Sequence, residues 1–210
     1  MFRYNYHPLK NKERYTLIFL ILFSALIRVP VILTLGDAGL EHEWKAIMEN
    51  LTKHGVFSSI NFDGLLIPNL FMPPLYAFYL YFFSLINLEE QSYVQLILYS
   101  QILLSSISIA VFYKINKIFF SEKISFFGSL IFSIFPLHVY ACAQISSISL
   151  QSFLTILFFY FFFQLIKKIN FLSIFFFSLT GGMLILLRGE FIAILILSLA
   201  YLLFFFKIEI

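Results

Sequence analysis

Three carboxylates, Asp37, Glu41 and Glu43, crowd the start of the only extended polar stretch of the chain, residues 36–69. A carboxylate facing water can take the proton from a hydroxyl brought to it, which is general-base chemistry. The run Gly36-Asp37-Ala38-Gly39-Leu40-Glu41-His42-Glu43-Trp44 leads into a segment where Leu40, Trp44, Ile47, Met48 and Leu51 form one apolar stripe at helical spacing. Asp37 suits the N-cap of such a helix, and Gly55 the position just past its end. On it Glu41 and Glu43 diverge by about 200°, whereas Asp37 and Glu41, four residues apart, share a side. Asp37 and Glu41 are then the pair open to acid–base work. The plainer reading is that all three acids solvate a helix lying flat on the membrane, with Trp44 at the interface.

Two arginines sit where cations are costly, and an ionisable residue in an apolar span is by default a functional candidate. Arg28 lies near the outer end of the first apolar run, and Arg188 closes another. Each either grips a phosphate through paired hydrogen bonds or snorkels to the interface. Glu190, two residues on, can neutralise Arg188. His138 and Gln144 fall in a further turn and read as ordinary turn residues, His138 being kept as a substrate-contact candidate. Phe71-Met72-Pro73-Pro74-Leu75-Tyr76 opens the next apolar piece. The paired prolines give a rigid helix start, and Pro74 and Tyr76 are the candidates to face a substrate there. A single cysteine, Cys142, excludes an internal disulfide or a CxxC site and reads as a packed thiol.

These residues must be positioned by helices in lipid. The 210 residues are 61% hydrophobic and 12% charged, with mean hydropathy +0.94, against roughly 25% charged in soluble domains. A span needs about 20 apolar residues, and candidates run over 15–36, 92–119, 124–141, 148–166, 171–187 and 190–207. The expected fold is all-α, a polytopic bundle of six or seven spans with an external amphipathic loop after the first. Residues 1–14 form a cytoplasmic N-terminus, 15–36 the first span, 37–72 the external acidic loop, and 73–210 the remaining helices. The first run exceeds a signal-peptide core and is read as a retained helix. Cationic clusters at the N-terminus, Lys114/Lys117/Lys123, Lys167/Lys168 and Lys207 all fall inside if 73–87 is re-entrant rather than crossing, which the positive-inside rule favours. A charge of +3 without a basic, aromatic-interleaved block gives no case for nucleic acid.

One external acidic loop, followed by Pro-Pro-Leu-Tyr, resembles the GT-C membrane glycosyltransferases, which include the protein O-mannosyltransferases and the aminoarabinose transferases of lipid A. The matching residues are Asp37-Ala38, Glu41-His42-Glu43-Trp44, Asn50-Leu51, His54-Gly55-Val56-Phe57-Ser58 and Pro73-Pro74-Leu75-Tyr76. Gly181-Gly182-Met183, followed by Leu186-Leu187-Arg188-Gly189-Glu190, looks like the family's glycine-containing helix ending in a basic residue. Departures are Ala38 after Asp37, where the family often has an adjacent Asp-Glu, and Trp44 where Tyr is usual. The resemblance implies inverting transfer from a polyprenyl-phosphate sugar to an acceptor glycan, lipid or protein at the outer face of the plasma membrane. Glu41 would be the base with Asp37 supporting it, and Arg28 or Arg188 would steady the departing phosphate. Some relatives hold a divalent metal near the acidic loop. Family members are about twice this length, so the chain is expected to be a truncated module. A non-catalytic membrane subunit is the alternative, and a transporter component a weaker one.

Overall fold

In lipid every backbone polar group must be satisfied within the protein, and helices do so along their own length. The computed structural model describes residues 11–40, 42–59, 61–62, 65–68, 72–86 and 89–208, most of them helical. The elements are α1 (Asn11–Leu35), α2 (His42–His54), α3 (Pro74–Ser84), α4 (Glu90–Phe119), α5 (Glu122–Ser133), α6 (Pro136–Tyr140), α7 (Ile148–Lys167), α8 (Phe171–Leu187) and α9 (Phe191–Ile208). A 3-10 turn, Ala141–Ala143, follows α6. Among the described residues the one departure from an all-α chain is a short antiparallel ladder, β1 (Asn61–Phe62) with β2 (Leu65–Leu66), which pairs Asn61 with Leu66 and Phe62 with Leu65.

Among the described residues three helices, α1, α4 and α7, are long and apolar enough to cross a membrane, and α5 with α6 makes a fourth if the bent pair counts as one. Helices α8 and α9, with 17 and 18 residues, stand at the short limit of about 17 for a crossing. The continuous helix expected over 124–141 is broken. Helix α5 stops at Ser133, Phe135 is extended (φ −62°, ψ 118°), and the chain turns by 57° into α6. Pro136 causes this, because it brings no N–H and pushes the residue before it out of the helical region.

Polarity is inverted relative to a soluble protein. Leu22, Leu26, Leu33, Phe127, Ile131 and Leu203 are exposed, whereas Ser24, Gln101, Ser105, Ser125, Ser129 and Ser133 are buried. Helix α1 buries every fourth residue, Leu20, Ser24, Arg28 and Ile32. Helix α5 buries Ser125, Ser129 and Ser133 at the same spacing. Small residues in such rows let helix backbones approach closely, the usual basis of packing between helices in lipid. The larger core gathers α4, α7 and α8, with Phe158 stacked on Phe177 at 4.6 Å.

Side-chain contacts fix which ends lie together. At one end Lys117 pairs with Glu13 and Lys12 with Glu122, each at 3.1 Å. At the other, Asp37 N donates to Ala143 O (3.0 Å) and Leu40 N to Glu90 Oε1 (3.1 Å). Helices α1 and α4 are therefore antiparallel, and residues 36–89 leave and rejoin the bundle at one end. Helix α3 has 11 residues, about 16 Å of helix, too short for a hydrocarbon layer of about 30 Å. The Lys114/Lys117/Lys123 group thus shares an end with the start of α1.

Candidate functional site

The acidic loop is held by tertiary contacts. Helix α2 begins at His42, and residues 37–40 are not helical. Asp37 is consequently not its N-cap, and it lies on no helical turn. A long-range contact displaces the local one: Asp37 Oδ2 accepts from Ile145 N at 2.7 Å while the Asp37 backbone binds Ala143. Glu41 itself lies outside the described residues. Glu43 is exposed on the first turn of α2. Glu90, which the sequence pattern did not single out, accepts from Leu40 N and anchors the approach to α2. Beyond α2, Gly55 takes φ +67° and its N–H returns to Leu51 O, the helix stop its position suggested.

The apolar stripe of α2 is real, but its partner is protein. Leu40, Ile47 and Met48 are buried, and Trp44 meets the Tyr76 ring edge-on at 4.8 Å. Helix α3 starts at Pro74 behind the cap Pro73, as the paired prolines implied. Tyr76 is 1% exposed, and its hydroxyl has no hydrogen-bond partner among the described residues. Burial, with Tyr79 and Asp37 nearby, holds the Tyr76 phenol well above its usual range. Its O–H is a hydrogen-bond donor without a partner among the described residues. Tyr79, beside it, is bonded to Ser100 on α4.

Arg28 does not reach the outer face. It is 0% exposed, inside the bundle, with donors directed at four helices. Nε donates to Ser105 Oγ (2.8 Å) on α4, Nη1 to the Ser24 carbonyl (2.9 Å) on α1 and the Ser133 carbonyl (3.1 Å) ending α5, and Nη2 to His138 Nδ1 (2.8 Å) on α6. No carboxylate pairs with it among the described residues. Charge at this site is offset instead by carbonyls. The end of α5 carries the negative end of its dipole; Leu130 O and Phe132 O still accept from Ile134 N and Phe135 N, while Ser133 O takes Arg28 at the Pro136 break. Arg28 therefore caps the broken helix. His138 is part of that device and not a surface turn residue: it is 8% exposed and stacked on Phe132 at 4.5 Å. Because Nδ1 accepts from Arg28, a neutral imidazole carries its proton on Nε2, which is buried without a partner among the described residues.

Arg188 differs. It follows α8 at the end of the bundle, 43% exposed, 3.6 Å from Glu190. Helix α8 packs on α3, α7 and α9, whereas the partners of Arg28 come from α1, α4, α5 and α6. The two arginines belong to separate clusters. Arg188 remains available to a ligand and Arg28 does not. The chain matches no protein-family model, no curated protein and no solved structure. Geometry therefore has to carry the functional reading. Among the described residues no three His, Cys, Asp or Glu side chains converge as a metal site would require; Glu41, one of the three candidate acids of the loop, falls outside that set. Cys142 is buried, as its apolar surroundings suggested, with its thiol against the His138 carbonyl.

Proposed function

We propose that this chain is the acidic-loop module of a GT-C-type glycosyltransferase with six crossings, its start on the cytoplasmic side and residues 36–89 outside. Sugar passes from a polyprenyl-phosphate donor to an acceptor hydroxyl or amine at the Asp37 end of the bundle. The observation that supports this reading is the return of residues 36–89 to the end they left, bringing Asp37, Glu43 and Tyr76 to the end where α8 presents Arg188. Glu41 takes the acceptor's proton as the new bond forms at the anomeric carbon. The bond from that carbon to the phosphate oxygen breaks, and polyprenyl phosphate departs with the electron pair. Arg188, leaving Glu190, meets the charge that gathers there. With Arg28 engaged inside the bundle, this task falls to Arg188 alone.

A transfer assay in membranes with a labelled polyprenyl-phosphate sugar tests the proposal. Glu41→Gln should slow turnover by about 10²–10⁴-fold, the usual worth of a general base; undiminished transfer removes Glu41 from the mechanism. Sidedness is checked by labelling single cysteines placed at Lys123 and at Lys45, both exposed, in a Cys142→Ala background. Reaction of position 123 from the outside would invert the arrangement and end the proposal.

One observation favours a second reading, a non-catalytic subunit of such an enzyme. Two of the charged candidates, Asp37 and Arg28, are engaged in bonds that hold the bundle together. Combined Asp37→Asn, Glu41→Gln and Arg188→Gln separates the readings, since a subunit tolerates the three together and an enzyme does not.

A further inference from the structure

An open groove of about 340 Å³ runs along the outside of the bundle between α4 and α5. Phe112 lines it from α4 and Phe120 from the residue just past α4, Ile124 and Phe132 from α5, and Asn116 contributes the main polar group. Its volume falls within the roughly 300–1,000 Å³ of sites that hold a small ligand. Gly128 keeps the floor low, because a Cβ there would meet only Asn116 Nδ2, at 3.7 Å. The orientation follows from the helices. Phe120 and Ile124 flank the α4–α5 turn, at the end where Glu13 and Lys117 pair. Phe132, toward the other extremity, lies against His138. The groove thus begins beside that end and runs inward about 12 Å along α5.

That end is cationic. Lys12 and Lys117 are matched by Glu122 and Glu13. Arg14, Lys114 and Lys123 have no ion pair among the described residues. An apolar slot in the lipid-facing wall that begins beside Ile124, the sequence neighbour of the unmatched Lys123, complements an amphiphile with an apolar chain and an anionic head. We propose that the α4–α5 groove holds one chain of an anionic phospholipid, its phosphate headgroup at the Lys123 end. The groove begins at the end opposite Asp37, so this binding is independent of sugar transfer and is read without a transfer assay.

The test uses the full chain purified in mild detergent, loaded with phosphatidylglycerol or with phosphatidylcholine of matched chains, and native mass spectrometry of the lipid retained after washing. One phosphatidylglycerol per chain should persist where phosphatidylcholine is lost. Gly128→Leu, which raises the groove floor, should abolish retention. Lys123→Gln, at an exposed position that leaves the packing intact, should weaken it about fivefold, the effect of one surface cation on an anionic lipid. Equal retention of the two lipids by the unaltered protein overturns the proposal, as does full retention by Gly128→Leu. Should Gly128→Leu not fold, the contrast between the two lipids and the Lys123→Gln response decide the matter.

Discussion

Replacing Arg28 with methionine removes five N–H donors and leaves a side chain of similar length in their place. Three of the acceptors belong to other helices: Ser105 on α4, the Ser133 carbonyl ending α5, and His138 on α6. Hydrogen bonds between helices in bilayers average about 0.6 kcal/mol and reach about 1.7, so losing all three should lower bundle stability by about 2 kcal/mol and at most about 5. An opposing effect acts earlier. An arginine at a helix centre costs about 2.5–3.5 kcal/mol on insertion, and methionine relieves that cost. The two effects separate experimentally, because insertion of α1 precedes packing while unfolding in mixed micelles reads packing alone. Arg28→Met should insert at least as efficiently as the unaltered chain, yet unfold at a lower sodium dodecyl sulfate fraction by far-UV circular dichroism. Arg28→Lys keeps the charge but gathers its donors on one nitrogen and cannot reach acceptors on four helices, so it should lose about half as much. A stability change for Arg28→Met within about 0.5 kcal/mol, the range of surface substitutions, would refute the reasoning. The α5–α6 break would then hold itself without the guanidinium.

Three further outcomes follow from the same geometry. Asp37→Ala strands the Ile145 N–H and should cost about 1–3 kcal/mol in the same unfolding titration. Asp37→Asn keeps an oxygen acceptor and should cost less, so a large loss of transfer in the Asn variant would assign the charge a catalytic part beyond the tie. Gly181 packs so closely that a Cβ would stand 3.0 Å from Leu195 Cδ1 and 3.3 Å from the Phe158 ring; Gly181→Val should therefore destabilise the α7–α8–α9 region by about 1–3 kcal/mol, read by circular dichroism. Arg188→Gln breaks an exposed pair worth under about 1 kcal/mol, so melting should barely move while turnover falls about 10²-fold; unchanged turnover would leave Arg188 a snorkelling cation.

Much of the helical plan was legible in the sequence because lipid makes hydropathy nearly equivalent to secondary structure. The 171–187 segment was placed to the residue, and 148–166 and 190–207 to within one. Gly55 and Pro74 stop and start helices as their chemistry requires. What misled was a run read as continuous: over 124–141 hydropathy is unbroken, yet Pro136 at its thirteenth residue decides the local backbone. Hydropathy reports what a segment dissolves in, not whether its hydrogen-bond ladder is intact. The N-cap assigned to Asp37 failed for a related reason. A capping preference is worth about 1 kcal/mol, and a charge-assisted bond to a distant backbone N–H at 2.7 Å is worth as much or more.

Arg28 shows where such reading stops. That a buried cation is anomalous in an apolar span is visible from composition alone, and so is the expectation that something must satisfy it. Its partners are not visible, because they stand 77, 105 and 110 residues away and are a serine hydroxyl, a carbonyl any residue could supply, and a histidine that reads as a turn residue. None is an acid, so a search for charge complementarity passes over all of them. The signal available in the sequence was indirect: Pro136 must orphan carbonyls near residue 133, and orphaned carbonyls inside a bilayer require donors. A guanidinium on a neighbouring span, with five donors and no acceptor, is the side chain best able to meet that demand. The proline and the arginine, taken as one problem, explain each other, and the arginine, fully buried with all three of its nitrogens engaged, is then out of reach of a lipid phosphate.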